Sequence, residues 1–179
     1  MPTESALVAL IPEAESLVKL FRDSNIPSAA IGVPAHVTIL YPFRSPDALS
    51  DQVLAVLREL FQAVPGFVVS FTTTRRFPNG LYLAPEPAEP FQRLTELVFG
   101  RFPDAPPYGG AYAEVIPHLT VAELDDAQRL DEVDAAFRES ASGKLPICTA
   151  VQAITLMENS GGRWHVHSHF ALGPLRQDS

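Results

Sequence analysis

The sequence predicts a mixed α+β protein made of two similar lobes, and three observations carry that prediction. Short β-branched and aromatic runs alternate with stretches of helical hydrophobic spacing along the 179-residue chain. Two strand-like segments open on the same pattern, His36-Val37-Thr38-Ile39 and His118-Leu119-Thr120-Val121. The offset of 82 positions between them also carries the Asn79-Gly80 turn onto Gly161-Gly162 and Tyr82 onto Trp164. Landmarks sharing one offset mark an internal repeat, approximately 36–84 and 118–172, within a single bilobal domain over 1–179. Two copies make a pseudo-symmetric pair, not a solenoid.

Each element follows from local chemistry. Ser5 to Ile11 is a short apolar strand stopped by Pro12, and Glu13 to Arg22 places Leu17, Leu20 and Phe21 at helical spacing. Gly32-Val33-Pro34 breaks the chain, and Ala35 to Tyr41 alternates as a strand that Pro42 ends. Ser45-Pro46-Asp47 opens a helix whose inner stripe is Val53, Leu54, Leu57, Leu60 and Phe61. Phe67 to Phe77 is a strand, Asn79-Gly80 a hairpin turn and Leu81-Tyr82-Leu83 the return. Pro90 to Phe102 is a helix with Phe91, Leu94, Leu97 and Val98 inward, followed by a Pro/Gly-rich loop to Gly110. Val115 to Val121 is a strand and Asp125 to Ser140 a helix. Leu145 to Glu158 and Arg163 to Leu172 are two strands joined by Asn159-Ser160-Gly161-Gly162.

Composition narrows the function. Thirteen basic against 21 acidic residues give a net charge of −8, which argues against broad binding of duplex nucleic acid. The one cysteine, Cys148, rules out an internal disulfide and an all-cysteine metal site. The apolar run Ala6–Ile11 lacks a basic flank and is too short for a signal peptide or a membrane span. A cytoplasmic monomer without membrane association is expected.

In a strand, residues i and i+2 share a face, so His36 pairs with Thr38 and His118 with Thr120, while Val37, Ile39, Leu119 and Val121 turn to the core. A pseudo-twofold would bring both pairs to one cleft. Two imidazoles on opposite sides of a phosphorus atom suit in-line phosphodiester displacement, one as base and one as acid, since histidine titrates near neutrality. Thr38 and Thr120 would donate to the non-bridging oxygens. This scheme needs no metal and no cofactor. A single His-x-Thr is more often a satisfied structural histidine; a repeat kept only for packing has no need of the pair twice.

Taken together, H-V-T-I at His36 and H-L-T-V at His118, with the flanks A-H-V-T-I-L-Y-P-F and I-P-H-L-T-V-A, resemble the two-histidine (2H) phosphoesterase superfamily, in its 2′-5′ RNA ligase-like and cyclic phosphodiesterase branch. The resemblance runs from the first strand to Phe170-Ala171-Leu172-Gly173. It implies two lobes whose antiparallel sheets, with helices on their outer faces, flank a central cleft. It implies His36 and His118 as acid and base, and Thr38 and Thr120 as phosphate binders. It also implies action on 2′,3′-cyclic phosphates or 2′-5′ linkages, in a nucleotide or at an RNA end. The negative charge favours the smaller substrate.

Further candidates surround these pairs. Tyr41 could stack on a base. Of Arg75 and Arg76, neighbours that point opposite ways, one could reach a phosphate. His165, His167 and His169 alternate on one strand face, with Trp164, Val166 and Phe170 on the other; they could chelate a metal or line the cleft, with His167 the candidate substrate contact. No carboxylate-rich partner motif accompanies them, so no metal site is expected. Two rival readings remain: a non-catalytic module that binds a phosphate or RNA end, and a metal-dependent hydrolase on the three-histidine face.

Overall fold

The structure, a computed structural model, describes residues 2–176. β1 (Ser5–Leu10) leads through α1 (Pro12–Asn25) and the short α2 (Pro27–Ala30) to β2 (His36–Leu40). A 3-10 turn at Pro46–Ala48 precedes α3 (Asp51–Gln62), then β3 (Phe67–Phe77), β4 (Gly80–Glu86) and α4 (Glu89–Arg101). The second motif opens β5 (Leu119–Glu123), followed by α5 (Ala127–Ala141), β6 (Ile147–Val151), β7 (Ala153–Glu158) and β8 (His165–Ala171).

Helix starts obey capping chemistry. Pro12 sits in the first turn of α1, where its missing N–H leaves no bond unmade. The Ser50 hydroxyl accepts from the Val53 N–H at 3.3 Å, and Asp126 accepts from the Arg129 N–H at 3.1 Å, so α3 and α5 each begin on a side-chain cap. The buried stripe of α3 is Val53, Leu57 and Phe61, with Leu54 and Leu60 partly buried beside it. In α4 Thr95 joins Phe91, Leu94 and Val98 inside, and Leu97 lies at the exposed margin. Helix α1 departs most from its pattern. Leu20 is 79% exposed, and the buried face is Ala14, Leu17, Val18 and the charged Arg22.

The strands form two four-stranded sheets with every neighbouring pair antiparallel, in the orders β2-β1-β7-β8 and β5-β4-β3-β6. Helices α3 and α4 pack on the first sheet, against β8 and β2; α1 and α5 pack on the second, against β5, β6 and β4. One apolar core, including Leu7, Ile39, Phe61, Phe71, Phe91, Phe137 and Phe170, runs between helices and sheets. A smaller cluster of Ala6, Val8 and Met157, flanked by Tyr41 and Trp164, lies on the opposite face of the first sheet. The α+β class and the two pseudo-symmetric lobes are as the sequence predicts.

The chain is threaded through them differently. Leu145 to Glu158 is not one strand: it breaks at Gln152 into β6, which pairs with β3, and β7, which pairs with β1. The lobes also do not follow the sequence repeat. β2 lies in the first sheet while the hairpin after it, β3–β4, lies in the second; β5 lies in the second while β7–β8 lies in the first. The units that correspond in space are β1-α1-β2 and β4-α4-β5. Strand β4 therefore closes the first hairpin and opens the second unit, and each lobe draws on both halves of the chain.

Candidate active site

The two motif strands are the edge strands β2 and β5, and they lie side by side with Cα atoms within 8 Å. Both carry the same irregularity. Leu7 faces Leu40 but Val8 faces Thr38, and Leu81 faces Ala122 but Tyr82 faces Thr120. The extra residue is Ile39 in one strand and Val121 in the other, the last position of each His-x-Thr-x. A β-bulge of this kind ends strict alternation and re-aims the side chains beside it. Ile39 and Leu40 are accordingly both buried, as are Val121 and Ala122, while His36, Thr38, His118 and Thr120 stay partly accessible.

The imidazoles are held identically. His36 Nδ1 lies 2.7 Å from the Pro34 carbonyl, and His118 Nδ1 lies 2.7 Å from the Ile116 carbonyl. A carbonyl accepts only, so Nδ1 of each ring carries the proton and donates it, which leaves Nε2 as the unprotonated nitrogen of the neutral ring. Burial pushes the His36 pKa down to about 4; the Arg22 and His118 charges add to that, against the Pro34 hydrogen bond. Burial also lowers His118, opposed by its bond to Ile116 and by the Glu123 carboxylate. Both rings of the free protein are therefore neutral at pH 7.

Register places the remaining candidates. Tyr82 stands opposite both Thr120 and Arg75, so Thr120, Tyr82 and Arg75 form one row on one face of the second sheet. Arg75 lies two strand spacings from Thr120, ~10 Å. Arg76 turns the other way and pairs with Asp131 at 2.5 Å and Asp134 at 3.7 Å on α5. Phe77 stacks on Tyr82 with ring centroids 4.4 Å apart, and His118 meets both rings edge-on at 5.1 and 5.7 Å.

On the first sheet, Val8 and Thr155 link Thr38 to His169 in a similar row. Thr155 Oγ1 lies 2.9 Å from His169 Nδ1. The β8 histidines do not share a face. A bulge at His167 sets His169 opposite Thr155 but His165 opposite Glu158, and those partners project from opposite sides of β7. His165 contacts the Glu158 carboxylate, and the exposed His167 has Nδ1 3.0 Å from the Ser168 hydroxyl. The expected alternation of all three fails. Among the described residues no group of three His, Cys, Asp or Glu side chains could hold a metal. Tyr41 donates to Glu4 at 2.6 Å and packs edge-on to Trp164, and burial, then Glu4, pushes its pKa up to about 12.

Four site neighbours escaped sequence reasoning. Arg22 is 2% exposed and donates to the Thr120 carbonyl at 2.6 Å; its signal was a charge in phase with the apolar stripe of α1. Thr95 donates to the Ile39 carbonyl at 2.7 Å, bracing β2 from α4. Tyr82, noted only as a repeat landmark, lies beside His118. Tyr108, inside the Pro/Gly-rich loop, has φ 51°, a left-handed conformation uncommon for a non-glycine residue. Its N–H donates to the Tyr41 carbonyl at 2.6 Å. Burial raises its phenol pKa against a hydrogen bond with Thr38.

The chain is similar to known proteins over most of its length. A Bacillus pumilus protein named "Putative phosphoesterase" is 26% identical over 174 residues, covering 93% of this chain and 96% of its own length. A Staphylococcus aureus protein of the same name is 25% identical over 145 residues, covering 78% and 82%. Among solved structures, TT0787 of Thermus thermophilus matches with a TM-score of 0.63 at 17% identity, over 97% of this chain and all of that one. Escherichia coli LigT complexed with 3′-AMP matches with a TM-score of 0.59 at 16% identity, over 96% and 99%. These likenesses show the fold. The model of the 2′-5′ RNA ligase superfamily matches residues 10–163, and the chain, a phosphoesterase-like protein with paired His-x-Thr strands, belongs to that superfamily.

Proposed function

We propose that the protein is a metal-independent phosphoesterase that opens 2′,3′-cyclic phosphates or cleaves 2′-5′ phosphodiesters by two-histidine acid–base catalysis. The observation that carries this reading is the matched pair of imidazoles on adjoining edge strands, each with Nδ1 committed to the carbonyl two residues back. Nε2 of each is then available to a substrate between them. The small nucleotides bound in the LigT structures, 3′-AMP, NADP+ and ATP, support a nucleotide-sized ligand.

In hydrolysis of a 2′,3′-cyclic phosphate, one Nε2 takes a proton from water as its oxygen bonds to phosphorus. The other Nε2–H gives its proton to the departing ribose oxygen as that P–O bond breaks. Thr38 and Thr120 donate to the non-bridging oxygens. The surroundings of the two rings support one division of roles. Burial, and then Arg22, hold His36 neutral, which suits the base, whereas the Glu123 carboxylate opposes the burial that lowers His118, which suits the acid. Because both rings start neutral, the anionic substrate draws in the proton that the acid later donates. Arg75, in the row of Thr120, adds a cation for a further phosphate oxygen; no cofactor is involved.

The test is turnover of 2′,3′-cyclic nucleotides and 2′-5′ dinucleotides by H36A and H118A. Each is expected to lose at least 10²-fold in kcat while keeping its melting temperature within a few degrees. Wild-type turnover in either variant refutes the assignment, and binding without turnover in the unmodified protein makes it a phosphate-binding module.

A further inference from the structure

We propose that Arg22 is a positioning residue that locks the two His-x-Thr strands in mutual register, by bonding the backbone of one motif and the carbonyl that orients the histidine of the other. Its Nη1 donates to the Thr120 carbonyl at 2.6 Å; its Nη2 donates to the carbonyls of Val33 and Pro34 at 3.2 and 3.3 Å. The Pro34 oxygen also accepts from His36 Nδ1 at 2.7 Å. One side chain thus spans the seam between the sheets and ends on the atom that sets the His36 ring.

The placement has no packing rationale. A guanidinium on the buried stripe of a helix loses its hydration, and none of its hydrogen bonds goes to a carboxylate: they end on peptide carbonyls, while Glu15, Glu123 and Asp23 act on its charge without bonding it. An aliphatic residue at this position would continue the stripe without that cost. Only a planar fork reaches both carbonyl groups at once; an ammonium is a single point. The rest of α1 serves the same segment. Glu15, two turns earlier, accepts from the Ala35 N–H at 2.8 Å, and Ala35 in turn accepts from the Ile11 N–H at 2.9 Å. The approach to the first motif, Val33-Pro34-Ala35, is therefore gripped from α1, and α1 itself lies on β5, the strand of the second motif. The helix is the template on which the spacing of the two imidazoles is built.

The guanidinium also acts by charge. The groups felt by His36 are Arg22 and His118; those felt by Arg22 are Glu15, Glu123 and Asp23. Removing Arg22 takes away a positive charge that disfavours the His36 cation, so the His36 pKa rises.

The inference rests on the acid–base reading of His36 and His118. R22M and R22K are compared with the unmodified protein by melting temperature, by kcat, KM and pH profile on a 2′,3′-cyclic nucleotide, and by NMR titration of the His36 ring. R22M is expected to lose roughly 10²-fold in kcat, the penalty of sub-ångström to ångström misplacement, with KM within a few-fold. It is also expected to raise the His36 pKa and to move the limb that His36 governs to higher pH. R22K, charged but able to meet only one side, is expected to leave that limb in place and lose about tenfold in kcat. A folded R22M with unaltered kcat and unaltered His36 titration overturns the proposal. Should R22M fail to fold, R22K at full kcat overturns it. If H36A and H118A are inactive while the Arg22 variants behave as wild type, this inference alone falls; if H36A or H118A stays active, the acid–base reading falls and the NMR titration still decides whether Arg22 tunes His36.

Discussion

Acid should weaken the fold through His36, and the size of the effect follows from its surroundings. The ring titrates near 6.5 in an unfolded chain and at about 4 in the folded one, with burial the largest cause and Arg22 the next. Between those values the unfolded state binds the extra proton, so stability rises with pH across this window and falls as the solution is acidified. At roughly 1.4 kcal/mol per pKa unit, the loss between pH 7 and pH 4 is about 3 kcal/mol. That is a large share of the ~5–15 kcal/mol that holds a domain together. His36→Asn isolates the contribution, because the amide Nδ2 can still donate to the Pro34 carbonyl but does not titrate. Urea unfolding of both proteins is followed from pH 4 to 7. The unmodified protein is expected to lose about 3 kcal/mol more than H36N over that range. Parallel curves would refute both the buried-neutral imidazole and the argument that both rings begin uncharged.

Two further outcomes follow from placement. R75A is expected to raise KM several-fold with little change in kcat, whereas R76A, whose guanidinium is engaged by Asp131 and Asp134, leaves both constants alone; steady-state kinetics on a 2′,3′-cyclic nucleotide separates them. Thr95→Val removes the donor to the Ile39 carbonyl and is expected to lower unfolding stability by about 1 kcal/mol, up to ~3 if that carbonyl stays unpaired, as read by denaturant titration.

Most elements of this fold are legible in the sequence because their signals are local. The apolar period of α3, the Asn79-Gly80 turn and the 3.6-residue spacing of α4 each act within a few positions, and the facing of His36 with Thr38 follows from strand geometry alone. Pairing is not local. Where Leu145 to Glu158 passes from one sheet to the other, the lone polar Gln152 looks like one more alternating strand position, so the segment reads as one strand. The sequence offset likewise says which segments resemble each other, not which ones bond, and β4 pairs with the motif strand that follows it rather than the one before. Bulges escape for a related reason: one extra residue at His167 reverses a face without altering composition. Arg22 shows the converse. Its charge argues for a solvated position, and only the carbonyls converging from two distant segments make burial tolerable. Tyr108 is hidden because a loop rich in glycine and proline offers no period from which a side chain can be aimed.

The two motif strands meet without sharing a ladder: no main-chain hydrogen bond joins β2 to β5 among the described residues. A sheet edge leaves N–H and C=O groups without strand partners, and here two such borders are brought together, with the Arg22 side chain bonded to the Thr120 carbonyl on one side and to the Val33 and Pro34 carbonyls on the other. A substrate held between His36 and His118, as the proposed function has it, would be a rung across that gap. On the proposed reading, substrate binding would therefore also add to the cohesion between the two sheets.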